Sequence, residues 1–173
     1  HPAHVGQVTL PPAHANPPPL CYAANATASA GFETLFVATN EVFNPGSTYY
    51  YAIRQAAIKG GVSGGNPDPI SLGTAFLYSQ FAKGTLGGYD YLTLGGSSAS
   101  AGGLQATIWW LEGEVSDPGA GNIFRNAVLT QFGTAAGAMA NSNGAYGVGV
   151  LHRWADSRHT QVAIGQWVLA PAV

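Results

Sequence analysis

The sequence predicts an α+β fold: an antiparallel, β-sandwich-like domain with a central helical insertion and an extended N-terminal arm. Three observations predict it. Apolar and polar residues alternate with period two near both ends of the chain, the block between residues 68 and 144 carries apolar residues at helical spacing, and six of the eleven prolines fall within residues 1–20. Residues 1–20 are therefore read as a proline-rich arm and residues 21–173 as one globular domain, a size that a single core can support.

The first element is VGQVTL, in which Gly6, Val8 and Leu10 point one way and Val5, Gln7 and Thr9 the other. PPAHANPPP follows, a semi-rigid spacer, because proline holds the chain extended and donates no ladder hydrogen bond. CYAANATASAGFETLFVATNEVF holds two strands, with Leu35, Val37 and Thr39 alternating against Thr34, Phe36 and Ala38. NPGS turns the chain into the aromatic strand TYYYAIRQAAI, and GGVSGGNP is a loop.

Asp68 is the expected cap of a first helix, with Pro69 in its first turn, Ile70, Gly73, Phe76, Leu77 and Phe81 on one face and Gly84 as its stop. A second helix fits SAGGLQATIWWLEGE, with Leu104, Ile108 and Leu111 aligned. One continuous third helix is expected over NIFRNAVLTQFGTAAGAMANSNG, aligning Phe124, Val128, Phe132, Ala135 and Met139. The period then changes. AYGVGVLHRW places Tyr146, Val148, Val150, His152 and Trp154 on one side of a strand, ADSRH forms a corner, and TQVAIGQWVLA returns as its partner.

Only 8% of residues are charged, 46% are hydrophobic, and the net charge is −2. A surface so poor in charge suits a subunit that covers itself with copies of itself, and equally a neutral secreted domain. The basic residues Arg54, Lys59, Lys83, Arg125, Arg153 and Arg158 are scattered, so no stripe exists to replace phosphate counterions, which argues against nucleic-acid binding. No run of 18 apolar residues marks a membrane span. A chain beginning at His1 without Met is expected to have lost a signal peptide, which places it outside the cell or on its surface. The single cysteine, Cys21, excludes an internal disulfide and leaves a buried thiol or a bond between chains.

LYSQFAKGTLGGYDY, LQATIWWLEGE, GVGVLHRW and QWVLAP resemble, in the same order, segments of bacterial exported surface proteins with thioester-domain-like architecture, many of which carry a C-terminal PEP-CTERM sorting tail. The resemblance spans roughly residues 32–171, and LQATIWWLEGE is its most specific piece. In relatives that are thioester adhesins, a cysteine on an early strand is joined to a glutamine in a QxAIW-type helix. The resemblance sets Gln105 at the glutamine position and Phe36, in FETLFVATNE, at the cysteine position. A phenyl ring has no nucleophilic sulfur, so these vestigial positions imply a scaffold without the reaction. Cys21 would substitute only if the strand register differed by 15 residues. No VPEP-like sorting signal follows VLAPAV.

Other chemistry has thinner support. His1, with its free amino group and partners among His4, His14, His152 and His159, offers a copper-brace reading and hence a copper-dependent oxidase, but Pro2 and the proline tract put His1 on an arm. His1 and His4 are therefore weak metal candidates, and no cofactor is expected. No G-x-S-x-G elbow occurs, and Asp156, Ser157 and His159 read as a turn. Glu112 and Glu114 read as a solvated helix end. Trp109, Trp110, Trp154 and Trp167 read as core more readily than as a sugar platform, and Asn25-Ala26-Thr27 is a glycosylation-type sequon.

These readings converge on an extracellular, non-enzymatic, pilus-like filament subunit that polymerises with copies of itself by donating Val5, Gly6, Gln7, Val8, Thr9 and Leu10 to a neighbour's sheet. A monomeric cell-surface adhesion or carbohydrate-binding module, with surface glycans as partners, is the alternative from another class.

Overall fold

The computed structural model describes residues 5–9, 20–25, 31–35, 37, 48–54, 56–57, 68–92, 99–154 and 165–171, with side chains described at 35, 37, 69–92 and 100–150. Eight strands are β1 (Val5–Thr9), β2 (Leu20–Asn25), β3 (Gly31–Leu35), β4 (Thr48–Arg54), β5 (Ala56–Ala57), β6 (Asp68–Pro69), β7 (Val148–Trp154) and β8 (Gly165–Pro171). Between β6 and β7 lie α1 (Leu72–Ala82), α2 (Ala99–Leu111), α3 (Ile123–Phe132), α4 (Ala135–Met139) and a 3-10 turn at Ala145–Gly147.

Six strands form one sheet in the order β3-β2-β1-β4-β7-β8, and each neighbouring pair is antiparallel. β5 and β6 make only a two-residue ribbon. The expected β-sandwich is thus corrected: among the described residues no second sheet packs on the first, and every regular element from Leu72 to Met139 is helical. Period-two alternation shows that a strand has two unlike faces, but helices can cover one of those faces as well as a second sheet can. Here α1 packs against β7 and β8, and Val148 and Val150 of β7 are buried in one core with Leu77, Leu104, Ile108 and Phe124.

The N-terminal strand, which the sequence leaves free to dock on its own domain or on a neighbour, pairs within its own chain: β1 lies along β4 over its whole length, from Val5 opposite Ala52 to Thr9 opposite Thr48, and meets β2 at its end, Val8 opposite Asn25 and Thr9 opposite Ala24. β1 is the seam of the sheet, joining the β2–β3 hairpin to the β4–β7–β8 half. Among the described residues its pairing with β2 covers Val8 and Thr9.

α1 starts later than expected. Asp68 and Pro69 pair with Ala57 and Ala56, and Ser71 is the cap, its Oγ accepting from the Thr74 N–H at 3.1 Å. The ladder with β5 claims Asp68 before it can cap. Gly73 then allows α1 to approach its neighbours closely, because a Cβ there would meet both Leu111 methyls at 2.9 Å and the Ala138 carbonyl oxygen at 3.1 Å. The single expected third helix is two. Gly133 at φ 80 breaks it, and Thr134 caps α4 through its hydroxyl, which accepts from the Gly137 N–H.

Tyr146 was placed by its alternation in the following strand. It instead lies in the 3-10 turn at φ 61, outside β7, which begins at Val148. In β7 and β8, Leu151 faces Val168 while His152 faces Gln166, so Trp167 is the extra residue of a bulge.

Candidate functional site

Three polar or aromatic groupings emerge from the packing of the helices. The first joins α1 to the end of α2. Glu112 Oε1 accepts from the Ser71 N–H at 3.1 Å, the Ser71 hydroxyl at 2.9 Å and the Thr74 hydroxyl at 2.5 Å. Ser71 and Thr74 are buried, so this carboxylate satisfies donors that water cannot reach and sits where the helix N-terminus favours negative charge. The expected solvated glutamate is instead a clamp between two helices. With three donors converging on it, this one carboxylate oxygen ties the first turn of α1 to the end of α2.

The second grouping centres on Asn122, the cap of α3. Its Oδ1 accepts from the Phe124 and Arg125 N–H groups, each at 3.0 Å, and from the Thr107 hydroxyl at 2.9 Å, while its amide nitrogen donates to the Gly103 carbonyl at 2.9 Å. One side chain thus ties α3 to α2. Outside it, Arg125 makes a bidentate pair with Asp117 at 3.0 Å on both arms. The Arg125 hydrogen bonds hold the Asp117 carboxyl below its usual value, with help from the Gly119 N–H, and Asp117 in turn raises Arg125.

The third is a row of rings on the surface of the helical layer. Phe76 of α1 is in the centre, edge-on to Phe132 of α3 at 5.8 Å and to Tyr146 at 5.7 Å. Phe76 and Phe132 are half-buried against the core, whereas Tyr146 is 43% exposed and Met139 of α4 is 38% exposed.

The residues singled out by sequence are distributed unevenly over this structure. Gln105, the position matched to the thioester glutamine, lies on α2 and is 1% exposed, between Leu104 and Ile108 in the core. Leu35 and Val37, which flank Phe36, are buried in the same cluster, but Phe36 itself lies outside the described residues. Val5–Thr9 form β1, and Leu10 lies outside. Asn25 ends β2 opposite Val8, and Cys21 pairs with Thr34 of β3. His1, His4, Asp156, Ser157 and His159 fall outside the described residues. Trp110 is core, and Trp109 Nε1 and Ser142 Oγ are buried with no hydrogen-bond partner.

Among the described residues no three His, Cys, Asp or Glu side chains come together as a metal site, and no helix is long and apolar enough to cross a membrane. Sequence reasoning gave Glu112 and Tyr146 other roles and did not single out Asn122. Ser71-x-x-Thr74 and Asn122 before an apolar run were available as cap signals, but no local pattern announces the row of rings. No family model, curated protein or solved structure matches the chain.

Proposed function

We propose that this chain is an exported, non-enzymatic structural subunit that assembles with copies of itself by exchanging β1, each molecule placing its strand between β2 and β4 of another. The observation that carries the reading is the seam position of β1. Lifting β1 out interrupts the ladder between β2 and β4 and opens two strand edges at once. A second copy's β1 restores every ladder hydrogen bond in the same register, so the closed and exchanged states share nearly all of their enthalpy.

The connection supports the same reading. Five prolines stand between Thr9 and Leu20, a composition that favours extended chain and so supports reach to another molecule. Each exchange involves about five ladder positions at roughly 1 kcal/mol net per hydrogen bond. One contact is therefore modest, and the arrangement gains persistence by repetition and by apposition of surfaces with little charge to repel one another. β3 and β8, at opposite ends of the strand order, approach one another, which leaves replacement of the seam as a better route to growth than addition at an edge.

Two singly labelled chains test this reading, both carrying Cys21→Ser, one Gln7→Cys and the other Tyr50→Cys. Residues 7 and 50 face each other across β1 and β4. Unfolded together, refolded at high concentration and oxidised, the mixture is expected to give a Gln7→Cys to Tyr50→Cys heterodimer on a non-reducing gel. Its absence, with both chains folded, removes the proposal.

A further inference from the structure

Independently of β1, we infer that Asn143-Gly144 is a self-modification site, at which the folded chain converts the Asn143 carboxamide into aspartate and isoaspartate through a succinimide. Asn143-Gly144 is the one Asn-Gly pair in the sequence. Asparagine carries a thermolabile amide, and the glycine that follows it here has no Cβ to obstruct attack by its backbone nitrogen.

The structure sets out both reacting partners. Asn143 at φ 49 and Gly144 at φ 78 are the central residues of a tight turn, closed by the Ala145 N–H donating to the Ser142 carbonyl at 2.8 Å. Left-handed backbone at both central positions makes the primed turn that Asn-Gly favours. Asn143 is exposed, so water and hydroxide reach its side chain. Its amide nitrogen donates to the Asn141 carbonyl at 3.4 Å, a long bond that holds the leaving group weakly. The N–H groups of Ser142, Asn143, Ala145 and Gly147 are engaged, by Ile70 O, Asn141 Oδ1, Ser142 O and Gly144 O respectively. The Gly144 N–H donates no hydrogen bond among the described residues. The nucleophile is therefore a free amide between anchored ones.

Hydroxide removes the Gly144 amide proton, and the nitrogen attacks Asn143 Cγ to close a five-membered ring, a unimolecular step between adjacent residues. The Cγ–Nδ2 bond breaks, and Nδ2 takes a proton from water and leaves as ammonia. A further water then opens the ring. Addition at Cγ breaks the new Cγ–N bond and leaves aspartate, whereas addition at the main-chain carbonyl breaks the original peptide bond and leaves isoaspartate. Water is the co-reactant, and no oxidant or reductant takes part. Opening the turn to bring the nitrogen onto Cγ breaks the Ala145–Ser142 hydrogen bond and leaves Ser142 tied to the Ile70 carbonyl at 2.9 Å, so the reaction needs local opening and not unfolding. Either product gives the stretch from Asn126 to Leu151, which has no Asp, Glu, Lys or Arg, its first charge.

Peptide mapping by mass spectrometry tests the proposal on the full chain, held in alkaline buffer with and without guanidinium chloride. Asn143 is expected to become acid ahead of Asn122, Asn126 and Asn141, with isoaspartate among its products. Because one hydrogen bond is at stake, the folded chain is expected to convert within about tenfold of the unfolded rate. Asn143→Gly is the informative variant, since glycine accepts φ 49 without strain and removes the amide. It is expected to melt near wild type and to lose the acidic band that wild type develops on isoelectric focusing, a band whose position Asn143→Asp marks. A folded chain that converts more slowly than that tenfold margin overturns the assignment. So does another asparagine reacting first, a product without isoaspartate, or an acidic band that persists in Asn143→Gly.

Discussion

α1 and α3 are similar in length and opposite in construction. In α1, Gly73, Thr74, Ala75, Leu77, Tyr78, Ser79 and Phe81 are buried, on all sides of the helix, while α3 buries Phe124 and Val128 and leaves Asn126, Thr130 and Gln131 in water. A helix enclosed by its neighbours has to satisfy its polar atoms within the protein, and α1 does so by bringing Glu112 to its first turn. A helix with one covered stripe needs only a cap and an outward ion pair, which Asn122 and the Arg125–Asp117 pair supply. Enclosure thus converts what would be solubility features elsewhere into internal ties.

The largest expected effect sets matching truncations against each other. Leu77→Ala, at a fully buried site in α1, is expected to cost about 2–5 kcal/mol, and Leu129→Ala, half-buried on α3, about 1 kcal/mol, both read from urea midpoints. Equal losses would erase the distinction between the helices. Next comes Glu112→Ala, which strips the acceptor from Ser71 and Thr74 and is expected to lower stability by about 2 kcal/mol, with Glu112→Gln recovering part of it through its amide oxygen.

Asn122→Ala is expected to cost about 1–2 kcal/mol and to speed hydrogen exchange at the Phe124 and Arg125 amides before it affects α1. The smallest effect belongs to the surface. Arg125→Ala should leave the melting temperature nearly unchanged at neutral pH, because an exposed pair is screened by solvent. Arg125 depresses the folded-state value of Asp117, so any stability from the pair is present above the ordinary carboxylate value and is lost as pH falls through the lowered one. Thermal melts of wild type and Arg125→Ala should therefore converge in acid.

Much of this helical layer was legible in the sequence. Leu104, Ile108 and Leu111 announced the covered side of α2, and Phe124 and Val128 that of α3. The failures have local causes. Asp68-Pro69 has the chemistry of a helix start, but pairing with Ala56–Ala57 is a tertiary fact that outcompetes it. Gly133-Thr134 carried a stop followed by a cap, and the apolar spacing running through both hid it. Alternation found β4, β7 and β8 but says nothing of what covers them, which is why one sheet under helices was read as two sheets. Of the site, the cap residues were within reach of local rules. Phe76, Phe132 and Tyr146 were not, because three separate elements bring them together.

The seam position of β1 also has a temporal consequence. A polypeptide is made from its amino end, so Val5–Thr9 emerges well before Thr48–Arg54, the strand that will hold it over its full length. During that interval β1 lacks the strand that holds it over its full length. Crowded nascent molecules would meet one another in that window, whereas a chain diluted after synthesis would close on itself and stay closed.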